Sequence, residues 1–122
     1  MQDMYLFGVV YKGYFRDPTI ITPAEVLHAA TRAGALSQGR DDSGLLAVGM
    51  RADLCVLNTD TPQFTPMTSA ACNVVYAAQG ADIRMTMVDG EILYRDGEFK
   101  TIDIEKVKAE VQRRTDSILS RL

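Results

Sequence analysis

The chain of 122 residues holds one histidine, two cysteines and no tryptophan, and that scarcity bounds its chemistry. A hydrolytic zinc site takes three protein ligands, largely histidine, and His28 has no second histidine to join it. Cys55 and Cys72 have neither CxxC spacing nor a Cys/His-rich neighbourhood. Both are expected to be reduced and buried, as small hydrophobes in a cytoplasmic protein. No apolar run approaches the ~20 residues that span a bilayer, and a signal peptide is not expected from the opening residues. An excess of basic charge is also missing. Thirteen basic and sixteen acidic residues give a net charge of −3, with the signs interspersed. A nucleic-acid partner, which favours a basic face, is therefore not expected. There is no internal repeat, low-complexity tract or flexible linker. What remains is 47% hydrophobic and 24% charged, the composition of a soluble domain with a modest core.

The opening MQDMYLFGVVYKGYF is apolar on almost every face from Met4 to Tyr11. Asp3 suits a helix cap and Gly13 a helix end, while Val9-Val10 leaves a strand open, because periodicity does not separate the two in so short a run. Thr22-Pro23-Ala24-Glu25 is a helix start: Thr22 and Glu25 form a capping box, and Pro23 sits where its missing N–H does no harm. This helix is expected to run to about Ser37 and stop at Gly39, with Val26, Leu27, Ala30, Ala33 and Gly34 on its packing side. QGRDDSG reads as a polar loop. Strand-like segments follow at Leu45 to Val48, Ala52 to Leu57 and Val74 to Ala77, and the intervening TDTPQFTP reads as an irregular surface wrap. Ile83 to Val88 and Glu91 to Tyr94 flank Asp89-Gly90, a strong hairpin signal, and Asp96-Gly97 turns the chain again. From Asp103 the pattern is helical: Ile104, Val107, Val111, Ile118 and Leu122 make one stripe, expected to be packed, with Glu105/Lys108 and Glu110/Arg114 pairing on the exposed side. The mixed charges of that helix favour a solvated face over a membrane surface. Helices, then strands, then a helix give an α+β pattern.

Chemistry-bearing residues do not assemble along this pattern. His28 lies inside a helix with Arg32, not a carboxylate, four residues on, and is expected to pack or to serve near a cap. Asp41-Asp42 lacks the alternate acidic positions of a calcium loop, and Asp103-Ile104-Glu105 reads as a helix cap. Gly39 to Gly44 has phosphate-loop spacing but no following Lys-Ser/Thr. Ser37, Ser43 and Ser69 lack a glycine elbow and would share one histidine. Six scattered methionines suit core filling. No catalytic, cofactor-binding or metal residue is assigned.

Several segments, taken in order, nonetheless resemble one family. ITPAEVLHAATRAGALSQG resembles "T-x-E-E-A-L-x-x-A-T-x-x-G-A-x-x-L-G". GLLAVGMRADLCVLN resembles "G-S-L-x-V-G-K-x-A-D-L-x-V-x-D". NVVYAAQGADIRMTMVDGEILYRDGEF resembles "H-L-V-Y-x-A-x-G-x-x-V-x-x-V-x-V-x-G-x-x-V-x-x-x-G-x-F", and DMYLFGVVYKGYFRDPTIIT matches the preceding helix and its "x-D-P-T" loop. These are motifs of the C-terminal part of the amidohydrolase superfamily, in the branch of chlorohydrolases and of cytosine, guanine, S-adenosylhomocysteine and methylthioadenosine deaminases. The departures are Cys55, where the family usually has an aliphatic residue, and Asn73, where it often has histidine.

The resemblance implies a (β/α)8 barrel, which needs ~250 residues, and a metal held by an H-x-H pair, two later histidines and an aspartate, all lying upstream of Met1. It implies that residues 1–40 are the terminal barrel helices, 44–99 the C-terminal half of a composite β-sandwich and 102–122 a C-terminal amphipathic helix. Gly44, Gly49 and Asp53 then read as structural. The implied function is that of a C-terminal fragment of a metal-dependent hydrolase or deaminase acting at C–N bonds of a cyclic or purine/pyrimidine-like substrate. Zinc or another divalent ion would serve the full-length enzyme, and this chain alone would be inactive. The alternative is a stand-alone, self-associating structural domain, dimerising through an exposed sheet edge or the apolar N-terminal helix.

Overall fold

In the computed structural model, which describes residues 1–121, the apolar opening is a helix, α1 (Gln2–Phe15). Gly13 does not end it. The left-handed position falls at Arg16 (φ 54), whose N–H donates to the Gly13 carbonyl while that of Asp17 donates to Lys12, so Gly13 supplies a carbonyl to the closing motif instead of the turn.

Thr22 caps α2 (Pro23–His28). Its hydroxyl accepts from the Glu25 N–H, and the Glu25 carboxylate accepts from the Thr22 N–H at 2.7 Å. A π-helical turn, Ala29–Ala33, carries the rod into α3 (Gly34–Ser37). Within that turn the Thr31 hydroxyl donates to the Leu27 carbonyl at 2.6 Å, a side-chain competitor for the backbone ladder. Gly39 (φ 72) ends the rod as expected. Val26 is buried, but Ala30, expected on the packing side, is exposed.

Two segments expected to be strands are not. Val74 to Ala77 belongs mostly to helix α4 (Ala70–Tyr76), where Ser69 accepts from the Cys72 N–H and sets a helical start that outweighs the β-branched pair. Leu45 to Val48 forms no ladder, because Gly44 (φ 78) and Gly49 (φ 86) turn the backbone on either side. TDTPQFTP is irregular apart from a 3₁₀ turn, Pro62–Phe64, yet it supplies more than a surface wrap: Phe64 is fully buried.

The sheet is antiparallel, in the order β1 (Leu54–Leu57), β2 (Ile83–Val88), β3 (Glu91–Arg95), β4 (Glu98–Phe99). Asp89-Gly90 and Asp96-Gly97 make its two tight turns with positive φ at all four residues. That backbone matches the right-handed twist of the strands. β1 is one edge of the sheet.

Helices α1, α2 and α4 pack on one another, and the buried hydrophobic residues Val26, Phe64 and Val75 lie in this helical layer and the loop against it. Gly8, the buried residue of α1, permits the approach: a β-carbon there would sit 3.1 Å from the Tyr76 ring. Lys12 Nζ donates to the Tyr76 hydroxyl at 2.7 Å across the same seam.

Asp103 caps α5 (Ile104–Leu119) by accepting from the Lys106 N–H, and the Glu105–Lys108 and Glu110–Arg114 pairs form as expected. The stripe beneath them is not packed: Val107, Val111 and Ile118 are all exposed. Leu122, the last residue of the expected stripe, lies outside the described residues. No helix among the described residues is long and apolar enough to cross a membrane.

Candidate functional site

The residues weighed for chemistry are dispersed. His28 is exposed in the last turn of α2, so it is not packed, and it stands at the cap end of that helix. Cys55 is exposed on β1 and Cys72 half-buried on α4; both are free thiols, and neither is the buried residue expected. Among the described residues no three His, Cys, Asp or Glu side chains converge.

Polar side chains do converge where the helical rod, the loop after it and the sheet meet. Arg32 donates to the carbonyls of Asp41 (2.8 Å) and Ser43 (2.7 Å). Arg40 donates to the Ser43 hydroxyl at 3.3 Å and to Asp53 at 3.1 Å. Ser43, only 4% exposed, donates in turn to the Asp42 carboxylate at 3.1 Å. Asp53 accepts from the Asp89 N–H at 2.7 Å, and Arg51 lies 3.7 Å from Asp53 and 3.3 Å from Asp89. The arrangement can neutralise charge and fix backbone, but the Ser43 hydroxyl has an arginine and a carboxylate as partners and no imidazole to activate it. Gly44 and Gly49 flank the segment this cluster holds, and Asp53 bridges the β1 start to the β2–β3 turn.

A second polar site escaped sequence reasoning. Asp82 is 5% exposed and accepts from the Gln63 side-chain amide at 2.6 Å and from the Gln79 N–H at 2.8 Å. It joins the Phe64 loop to the start of β2. The signal was local: Asp82 stands at the third position of a 3₁₀ turn, where its carboxylate caps the entering backbone.

The perturbed carboxyls lie elsewhere and have surface causes. The Thr22 backbone N–H, then its hydroxyl, hold Glu25 below the usual range. Lys100 does the same for Glu98, and Arg113 and Arg114 for Glu110. A concavity of about 490 Å³ opens over the sheet among Ile83, Thr86, Leu93, Tyr94, Phe99 and Ile102. Its lining has no carboxylate, imidazole or thiol to do general acid–base work.

Comparison with known proteins supplies what this geometry lacks. The model of the amidohydrolase family matches residues 6–94. The 5-methylthioadenosine/S-adenosylhomocysteine deaminase of Desulfitobacterium hafniense (strain DSM 10664 / DCB-2) is 42% identical over 98% of this chain. A 5'-deoxyadenosine deaminase of Methanosarcina mazei is 32% identical over 99%. The chain spans only 29% and 28% of the length of these two relatives. Among solved structures, an adenosine deaminase from Xanthomonas campestris with bound zinc superposes on 98% of this chain with a TM-score of 0.93 at 23% identity, through 27% of its own length. An atrazine chlorohydrolase from Arthrobacter aurescens TC1 complexed with zinc covers 91% with a TM-score of 0.81, again at 23% identity and through 25% of its length. At such identity the two structures establish a shared fold for this portion. With the family model covering most of the chain and the order of the sequence motifs preserved, the chain belongs to the amidohydrolase family.

Proposed function

We propose that these residues are the C-terminal, non-catalytic segment of a metal-dependent amidohydrolase that hydrolyses a C–N bond of an adenosine-type substrate, releasing ammonia. In this reading α1 to α3 are the last helices of a (β/α)8 barrel, the sheet is half of a composite β-sandwich, and the metal ligands lie in the part of the protein that precedes Met1. The observation that carries the reading is the distribution of apolar surface. Among the described residues three hydrophobic side chains form the buried core, whereas twenty large ones are exposed. Seven of the exposed ones, from Tyr5 to Phe15, stand on α1 alone. Isolated apolar residues on a surface are ordinary, but a continuous helix face of aromatic and aliphatic side chains marks a buried interface. The names of the relatives, deaminases of methylthioadenosine, S-adenosylhomocysteine and deoxyadenosine, support the substrate class. The test is metal analysis of the purified 122-residue chain after zinc loading and desalting, with a 5-methylthioadenosine deamination assay. Substoichiometric metal and background turnover are expected. Metal-dependent turnover by this chain overturns the reading.

A second reading is favoured by the same exposure together with the position of β1. This strand is a sheet edge, and its open side offers unpaired backbone groups to another chain. In isolation the chain self-associates, through that edge or the α1 face, as a non-catalytic module. Light scattering that finds a folded monomer at high concentration overturns this second reading.

A further inference from the structure

The polar cluster is unusual for what it holds up. The Arg51 N–H donates to the Asp42 carbonyl at 2.8 Å and closes a loop over residues 42–51. Arg32 and Arg40 fasten the near limb to the helical rod and to Asp53, and Ser43 is buried beneath it. Gly44 is pressed against the Thr31 backbone, and Gly49 turns the far limb. Between these anchors Leu45, Leu46 and Val48 project outward. Leu46 is 77% exposed and Val48 fully so. A loop tip in free solution is normally polar and mobile. Here buried and ion-paired groups preorganise three apolar side chains in water, and preorganisation favours binding by removing the entropy of ordering from the docking step.

We infer that Leu45, Leu46 and Val48 form a preorganised apolar plug that seats in a pocket of the polypeptide preceding this segment. The inference rests on the segment reading above and names a contact that the reading leaves open. The occupant follows from length: 98% of this chain accounts for 29% of the D. hafniense relative as its C-terminal part, which leaves about seven-tenths of that protein to cover the exposed face.

The experiment compares one substitution pair in two settings. The C-terminal 29% of the D. hafniense deaminase is replaced by these 122 residues, a replacement that the 42% identity keeps in register. Leu46→Asp with Val48→Asp is then introduced both into this chimera and into the isolated chain. The chimera's Tm is expected to fall by at least about 5 °C, since each lost kcal/mol shifts a protein of this size by a few degrees. The far-UV circular dichroism and oligomeric state of the isolated chain are expected to stay the same. In the same chimera Leu6→Asp with Val10→Asp tests the α1 face. If the α1 pair lowers the Tm and the loop pair does not, the plug is wrong and the segment reading stands. If the loop pair leaves the chimera's Tm unchanged but dissociates the isolated chain's oligomer, the loop is a contact between copies and the plug is overturned. A chimera that fails to fold with its unaltered residues, while the parent deaminase folds, overturns the segment reading and the plug with it.

Discussion

A β-carbon on Gly44 would sit 2.7 Å from the carbonyl oxygen of Thr31 and 2.9 Å from the Cα of Arg32. Both obstacles are backbone, so neither moves without displacing the helical rod, and Gly44 also holds φ +78. Gly49 holds φ +86 with nothing within 4 Å of its β-carbon position. The two glycines therefore separate conformational strain from steric exclusion. Gly49→Ala pays only for the left-handed backbone, about 1–2 kcal/mol. Gly44→Ala adds the clash and is expected to lose about 3 kcal/mol or more. Urea unfolding followed by circular dichroism measures both, and equal losses at the two positions would refute the steric account.

Asp53 is the acceptor that ties β1 to the β2–β3 turn. Its Oδ1 takes the Asp89 N–H at 2.7 Å and its Oδ2 takes Arg40 at 3.1 Å. Asp53→Ala removes both and is expected to lose about 2–3 kcal/mol, the range for hydrogen bonds to charged groups. Asp53→Asn keeps an acceptor for the Asp89 amide and is expected to retain roughly half of that stability. If the two variants unfold at the same urea concentration, the turn amide is not what Asp53 serves.

These two predictions also mark how far the sequence was legible. The capping box at Thr22, the cap at Asp103, the Asp-Gly turns and the i,i+3 and i,i+4 pairs on α5 are contacts among residues a few positions apart. Local spacing is sufficient to read them. The family was legible because its motifs occur in order along almost the whole chain. By contrast, the burial of Phe64 depends on helices far away in sequence, and the helix at Val74–Tyr76 depends on a Ser69 cap that a β-branched run disguises. The polar cluster joins Arg32 to Ser43 and Asp53 to Asp89, separations of 11 and 36 residues that no periodicity reports. Burial of the α5 stripe and of Cys55 differs from expectation for one reason. Amphipathic pattern says which side seeks cover, and only the fold says whether cover is present.

Acid sensitivity should begin at the α2 cap. The Glu25 carboxylate accepts from the Thr22 backbone N–H and then from its hydroxyl, and its pKa lies below the ordinary 4.5. A carboxyl with a folded-state pKa lower than its unfolded one contributes stability that is fully present above the unfolded value and disappears as pH falls through the folded one. Wild type is therefore expected to be more stable than Glu25→Gln at pH 7, with the difference shrinking as pH drops below about 4.5. The Glu98 and Glu110 pairs shift in the same direction and add to the slope in both proteins. Urea midpoints measured at several pH values give the comparison, and a gap that widens on acidification contradicts the assignment.

The core and the stripe on α5 predict opposite responses to truncation. Phe64 and Val75 are each 1% exposed, within the layer where α1, α2 and α4 meet. Phe64→Ala empties that layer and is expected to cost about 3–5 kcal/mol. In a domain whose total stability is of order 5–15 kcal/mol, a loss of that size removes much of it. Val111 and Ile118 are 58% and 62% exposed, so Val111→Ala and Ile118→Ala remove little buried area and are expected to stay within about 0.5 kcal/mol of wild type. A two-state fit of urea unfolding at neutral pH distinguishes the cases. If Val111→Ala destabilises as much as Phe64→Ala, α5 is packed in solution, and the chain has found cover for its stripe within itself or on a second copy. If it does not, α5 remains an apolar face awaiting a partner, and the helical layer is the core that holds the described residues together.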